Sequence, residues 1–139
     1  FLGRLSVVAN CSQLSCDCCD CISNDLSSSS SDFHVSLLPE STRMSIEDPA
    51  TPQFRAYEWL ISDPNMLSYT NDRAVQRFAL ATIFYSTSRL ADWHNDDKWL
   101  AYDVHECDWF MSGDSCIDGS YSVLSLSGNG LEGEIPLEL

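Results

Sequence analysis

The chain has 139 residues, 44% of them hydrophobic and 11% aromatic, and its 21 acidic side chains against 7 basic ones give a net charge of −14. That length bounds it to one ordinary domain, or a small domain with tails. So acidic a surface repels phosphate backbones and anionic headgroups, which excludes nucleic acid as a partner. No apolar run approaches the ~18 residues of a membrane span, so direct membrane insertion is excluded too. No basic-then-apolar leader follows Phe1.

Cysteine is concentrated at the start. Cys11, Cys16, Cys18, Cys19 and Cys21 fall within eleven residues, then 85 positions pass before Cys107 and Cys116. Cys16 with Cys19, and Cys18 with Cys21, stand in C-x-x-C spacing, which raises a zinc site on those four thiols. Overlapping pairs that share adjacent cysteines fit one tetrahedral centre poorly, and disulfides within the cluster are the competing reading. A thioredoxin-like redox role lacks the βαβ surroundings it needs. Residues 23–48 follow, with a serine run from Ser27 to Ser31 and five acidic residues against Arg43 alone. Their apolar surface is too small to offset the entropy of ordering them, so a flexible, disordered linker is predicted.

Order is expected to resume at Pro49. Thr51 is a predicted N-cap with Pro52 at the first helical position, where a missing N–H costs nothing. Phe54, Tyr57, Leu60 and Ile61 recur at helical spacing until Asp63-Pro64-Asn65 ends the helix. A second helix is expected from Asn71 or Asp72, with Val75, Phe78, Ala79, Thr82 and Ile83 on one face, fading at Ser86-Thr87-Ser88. Two antiparallel helices joined by a loop is the expected arrangement. Trp93, Trp99 and Trp109 come next among Asp and Asn. Their rings are expected to close a small core with Trp59, Leu60 and Phe78 rather than to line a ligand pocket.

His105-Glu106-Cys107 sets a thiol beside an imidazole. Adjacency in sequence supplies neither a base within reach nor an orienting third group, so no enzyme is expected. His34 and His94 have no metal partner four residues on. The acidic runs at 92–97 and 114–118 lack the D-x-D-x-D-G-x5-E calcium loop, and solvated turns are expected there. No cofactor is implied.

The two ends share a pattern. Residues 121–129 read Tyr-Ser-Val-Leu-Ser-Leu-Ser-Gly-Asn, and Leu2, Leu5, Val7 and Asn10 stand at the offsets of Tyr121, Leu124, Leu126 and Asn129. Strand alternation points Leu124 and Leu126 to one face and leaves Ser122, Val123, Ser125 and Ser127 exposed. The Asn stands where the chain turns away, with its amide placed to satisfy backbone groups in that turn. Gly130-Leu131-Glu132-Gly133-Glu134-Ile135-Pro136 continues the pattern. Together residues 121–136 resemble the plant-type leucine-rich repeat, L-x-x-L-x-L-x-x-N-x-L-x-G-x-I-P, with Leu124, Leu126, Asn129, Leu131, Gly133, Ile135 and Pro136 as its framework. The preceding Cys107-Asp-Trp109 to Gly113 and Cys116 resembles the family's N-terminal cap, its cysteines two residues further apart than in the C-x-W-x-G-x-x-C pattern. Glu58-Trp59-Leu60 and residues 76–82 resemble the helical cap of diatom-type members, so the likeness covers residues 48–139.

The resemblance implies an α+β chain: a helical N-terminal cap over residues 49–118, then the first, incomplete coil of a leucine-rich-repeat solenoid over residues 119–139. It implies a Cys107–Cys116 disulfide. Residues 1–22 become the cysteine-rich tail of a preceding array, with Asn10 turned inward despite its Asn10-Cys11-Ser12 glycosylation sequon. The odd count of seven cysteines then divides into one cap pair and one tail of five. The implied function is a non-enzymatic interaction module, the cap of a receptor-like or secreted protein that meets a protein, peptide or glycan ligand through further repeats. Paired cysteines imply an extracellular or luminal setting, with any membrane tether outside these residues. The alternative is a small cysteine-rich zinc protein with an attached helical domain.

Overall fold

Two threonines decide where the principal helices begin. The Thr51 hydroxyl accepts the Phe54 N–H with Pro52 at the first helical position, and α2 runs Pro52–Ile61. The Thr70 hydroxyl accepts the Arg73 N–H, and α3 runs Asn71–Thr87. The computed structural model describes residues 33, 35–88, 93–96, 98–109 and 116–139, all within the unit Phe33–Leu139. The cysteines at positions 11–21 and the repeat pattern at residues 2–10 lie outside the described residues.

Residues 35–48, expected as linker, are folded. A 3-10 turn at Val35–Leu37 leads through Pro39 into α1, Glu40–Ile46, which packs on α2. Leu38, Thr42 and Ile46 recur every four residues and are buried, giving a narrow apolar stripe that the surrounding Ser, Glu and Arg dilute in the composition. Thr42 and Gln53 also donate to the Glu138 carboxylate, at 2.8 Å and 3.2 Å, tying the end of the described chain to α1 and α2.

Two apolar clusters meet at Trp59 and Leu100. The first joins Phe33, Leu38, Ile46, Ala56, Leu60, Met66, Ala74, Phe78 and Ala81. The second joins Leu80 and Ile83 of α3 to Trp93, Trp99 and Trp109, with Tyr121, Leu124 and Leu126 packed against it. The tryptophans form a chain of ring contacts, Trp93 to Trp99 at 4.7 Å and Trp99 to Trp109 at 5.4 Å.

Beyond the tryptophans, β1 (Cys116–Ile117) and β2 (Ser120–Tyr121) pair antiparallel, Cys116 opposite Tyr121. Asp118 and Gly119 join them with φ of 51° and 81°, the left-handed pair that a two-residue hairpin turn requires. The described residues thus mix three α-helices with one two-stranded sheet, and no solenoid is detected among them. The strand expected through Leu124 and Leu126 is not formed by pairing; beyond β2 one parallel bridge joins Ser88 to Glu132. Among the described residues, no neighbouring strand lies against residues 123–127 to complete a ladder. Among the described residues no helix is long and apolar enough to cross a membrane.

Candidate functional site

The centre of the helical unit is ionic. Arg77 sits midway along α3 with no exposure, and its Nη2 lies 3.1 Å from Asp63 Oδ2 while its Nη1 lies 3.1 Å from Glu106 Oε2. Arg73, one turn earlier, forks onto Glu106 through Nε and Nη2 at 3.1–3.2 Å. Gln76 donates to the same carboxylate at 3.0 Å, and Tyr69 donates its hydroxyl to Asp63 at 2.7 Å. The Arg77 guanidinium is also boxed by the rings of Trp59, Tyr69 and Trp109, with centroids 4.9–5.1 Å away.

Two guanidinia face two carboxylates, so the cluster is neutral and its charges are compensated in place. Burial alone would raise the Glu106 pKa, but hydrogen bonds from Arg73 and Arg77 prevail and hold it below the ordinary carboxylate value. Burial, then the hydrogen bond to Asp63, pushes Tyr69 up to about 12. Each carboxylate is occupied by donors, which leaves neither as a general base. The cluster is a weld between α3, the loop after α2 and the 3-10 turn Glu106–Asp108.

That turn carries the hairpin onto the helices. Cys107 and Cys116 are joined in a disulfide, Cα to Cα 5.8 Å, immediately after Glu106. Tyr121 donates its hydroxyl to the Glu106 carbonyl at 2.9 Å and its N–H to Gln76 at 2.8 Å. His105 accepts the Cys107 N–H at 3.2 Å and caps the turn, so the sequence neighbours His105 and Cys107 meet as cap and disulfide rather than as base and thiol.

A second seam lies at Asn129, which is buried. Its side-chain oxygen accepts the Asn95 N–H at 2.7 Å, its amide donates to the Asn95 carbonyl at 3.2 Å, and its backbone carbonyl accepts the His94 N–H at 3.0 Å. The expectation that this amide serves its own turn is corrected: its partner is the loop beneath, because that loop's backbone is the one left without a ladder. Past the turn, the Glu132 N–H donates to the Thr87 carbonyl at 2.8 Å. Gly133 presses directly on the Ser86 carbonyl, where a Cβ would collide with the backbone.

The framework residues thereby divide. Leu124 and Leu126 face the tryptophan cluster, while Val123, Ser125 and Ser127 point outward with Ser122. Leu131 and Ile135 lie on an open edge instead of in the core, Ile135 being 78% exposed beside Leu137 at 86% and Leu139 at 67%. This edge holds a hollow of about 190 Å³, floored by Ile83, Thr87, Leu124 and Leu126 and rimmed by Leu131, Ile135, Pro136 and Leu139. Of the residues expected in the cap core, Leu60, Phe78, Trp99 and Trp109 are buried, and Trp59 is half-buried, donating its indole N–H to the Leu100 carbonyl at 3.1 Å. Among the described residues no group of three or more His, Cys, Asp or Glu is placed to hold a metal. Cys16, Cys18, Cys19 and Cys21 lie outside the described residues.

Sequence reasoning missed the ionic weld. Arg77 stands on the same helical face as Ala74, Phe78 and Ala81, and a cation inside an apolar stripe was the available signal. Comparison with protein-family models, with curated proteins and with solved structures yields no match.

Proposed function

We propose that the chain is a non-enzymatic interaction module, the helical N-terminal cap and first, incomplete coil of a leucine-rich-repeat array. The observation that carries this reading is the division of residues 121–136 into an inside, a seam and an edge. Leu124 and Leu126 turn onto the tryptophan cluster, Asn129 bonds across to the preceding loop, and Leu131 and Ile135 stand open. A coil laid on a cap needs these three faces, because each layer buries the apolar edge of the one before. The ligand would be a protein, peptide or glycan met through further coils. The Cys107–Cys116 bond fits an oxidising compartment, extracellular or luminal.

Fusing two leucine-rich coils after Leu139 tests the reading. Gain of strand signal by circular dichroism, together with a higher unfolding midpoint, is the expected result. An appended array that leaves the midpoint unchanged refutes it. Intact-mass measurement after alkylation of the native chain adds a second arm: Cys107 and Cys116 are expected to be blocked, and bound zinc with all seven thiols reactive would overturn the proposal.

A further inference from the structure

The seam at Asn129 imposes a reactive pair of residues. Asn129-Gly130 is the only Asn-Gly pair among the chain's six asparagines, and each member is held in place by a contact. Position 129 needs a side chain that accepts the Asn95 N–H and donates to the Asn95 carbonyl, which a carboxamide does and a carboxylate does not. Position 130 has φ +71°, and a Cβ there would stand 2.9 Å from His94 Nε2. That ring is fixed over the turn by its Nδ1–H, which donates to the Gly128 carbonyl at 3.1 Å. The fold therefore keeps glycine after this asparagine, the neighbour that shields its own amide nitrogen least. Among the described residues no hydrogen bond holds the Gly130 N–H. The restraint lies instead on the Asn129 side chain, which is buried and bonded at both ends of its amide.

We propose that Asn129 is a latent deamidation site, guarded by the closed seam and converting it one way once the seam opens. Freed from Asn95, the side chain turns its Cγ toward the Gly130 nitrogen. That nitrogen attacks, an N–C bond forms, and the bond from Cγ to Nδ2 breaks. Ammonia leaves, carrying the Gly130 amide proton, and a five-membered succinimide remains. Water then opens the ring at either carbonyl, giving aspartate or isoaspartate at position 129. Neither product closes the seam again. A carboxylate still accepts the Asn95 N–H but has no donor for the Asn95 carbonyl, which is left facing an anion. Isoaspartate also lengthens the backbone ahead of Gly130. That shifts Glu132 from the Thr87 carbonyl and Gly133 from its close fit on Ser86. The inference stands apart from the repeat-cap reading, since it needs only the seam and the chemistry of the pair.

The oxidised full-length chain is incubated at neutral pH, native in one arm and in guanidinium chloride in the other, then cleaved at mildly acidic pH. Asparagine, aspartate and isoaspartate at position 129 are counted by mass spectrometry with electron-transfer fragmentation. In denaturant, Asn129 is expected to convert ahead of the other five asparagines. Two hydrogen bonds hold its amide in the folded chain, so native conversion is expected to run roughly tenfold or more slower. The product formed in the native arm, isolated by anion exchange on its added negative charge, is expected to show faster amide exchange at Asn95. Because that product arises from folded protein, the comparison does not depend on a variant that has to refold. Equal rates in the two arms, another asparagine converting first in denaturant, or a product whose Asn95 exchange matches the parent's overturns the proposal.

Discussion

Arg77→Met removes the one residue that contacts every part of the ionic weld. The substitution keeps an unbranched side chain of similar reach on a good helix former, so α3 itself has no reason to fray. Its cost comes from what remains. Glu106 keeps Arg73 and Gln76 as donors, but Asp63 retains only the Tyr69 hydroxyl at 2.7 Å and the Asn65 N–H at 2.9 Å, with no cation. Breaking a buried pair by deleting one partner costs about 3–5 kcal/mol, and two surviving hydrogen bonds on Asp63 place the loss near 3 kcal/mol. For a unit of this size each kcal/mol moves the midpoint by roughly 4–8 °C, so a fall of about 12 °C or more is expected in a thermal melt followed by tryptophan fluorescence. Adding Asp63→Asn to Arg77→Met neutralises the stranded carboxylate and is expected to restore about 1 kcal/mol or more. A single-variant loss under about 1 kcal/mol in urea unfolding, or a double variant no better than the single, refutes the weld.

Gly133→Ala places a methyl against the Ser86 carbonyl at a φ of +137°, whereas Gly128→Ala, at φ +72°, meets open space. The first is expected to cost about 2–3 kcal/mol more than the second in urea unfolding, and equal costs would sink the close-approach argument. Asn129→Ala strands the Asn95 N–H and carbonyl and is expected to cost about 2–4 kcal/mol, with faster amide exchange at Asn95; unchanged exchange there would contradict the seam. The Tyr69 hydroxyl binds its proton more tightly when folded, so the stability it contributes is intact below pH 10 and lost as pH rises toward about 12. A pH series of unfolding midpoints is expected to show that alkaline fall in the parent chain and a shallower one in Tyr69→Phe. Glu106 has the opposite sign: its contribution is present above its ordinary value of 4.5 and is lost as pH falls below it.

Local rules made the helices legible. Thr51 with Pro52, and Thr70 ahead of a long apolar period, are signals that act within one turn, and the structure uses both. Helix α1 was hidden because only Leu38, Thr42 and Ile46 face inward over a segment rich in Ser and acid, so composition outweighed period. The hairpin turn at Asp118-Gly119 was written as an Asp-Gly pair, yet two-residue strands are too short to show alternation. The weld was least legible. Asp63 reads as a helix stop and Glu106 as a neighbour of a cysteine, and they meet only because Arg77 lies 14 residues from one and 29 from the other. No local pattern encodes a contact whose partners are chosen by the packing of α3 against the turn that Cys107 holds.

The same division explains why residues 122–136, beyond β2, keep a strand-like pattern without a strand. Leu124 and Leu126 are held by the tryptophans, Tyr121 by Gln76 and the Glu106 carbonyl, Asn129 by Asn95, and Gly133 by the end of α3. Every one of these contacts points down, toward the helical layer. None of these contacts depends on a neighbouring strand, so the layer beneath fixes the alternation and the turn. Leu131 and Ile135 differ: they rim the open hollow without closing it, and exposing an aliphatic side chain to water forfeits the stabilisation that burial would give. The downward set is bonded and the outward set is exposed, so this segment is ordered by what it sits on.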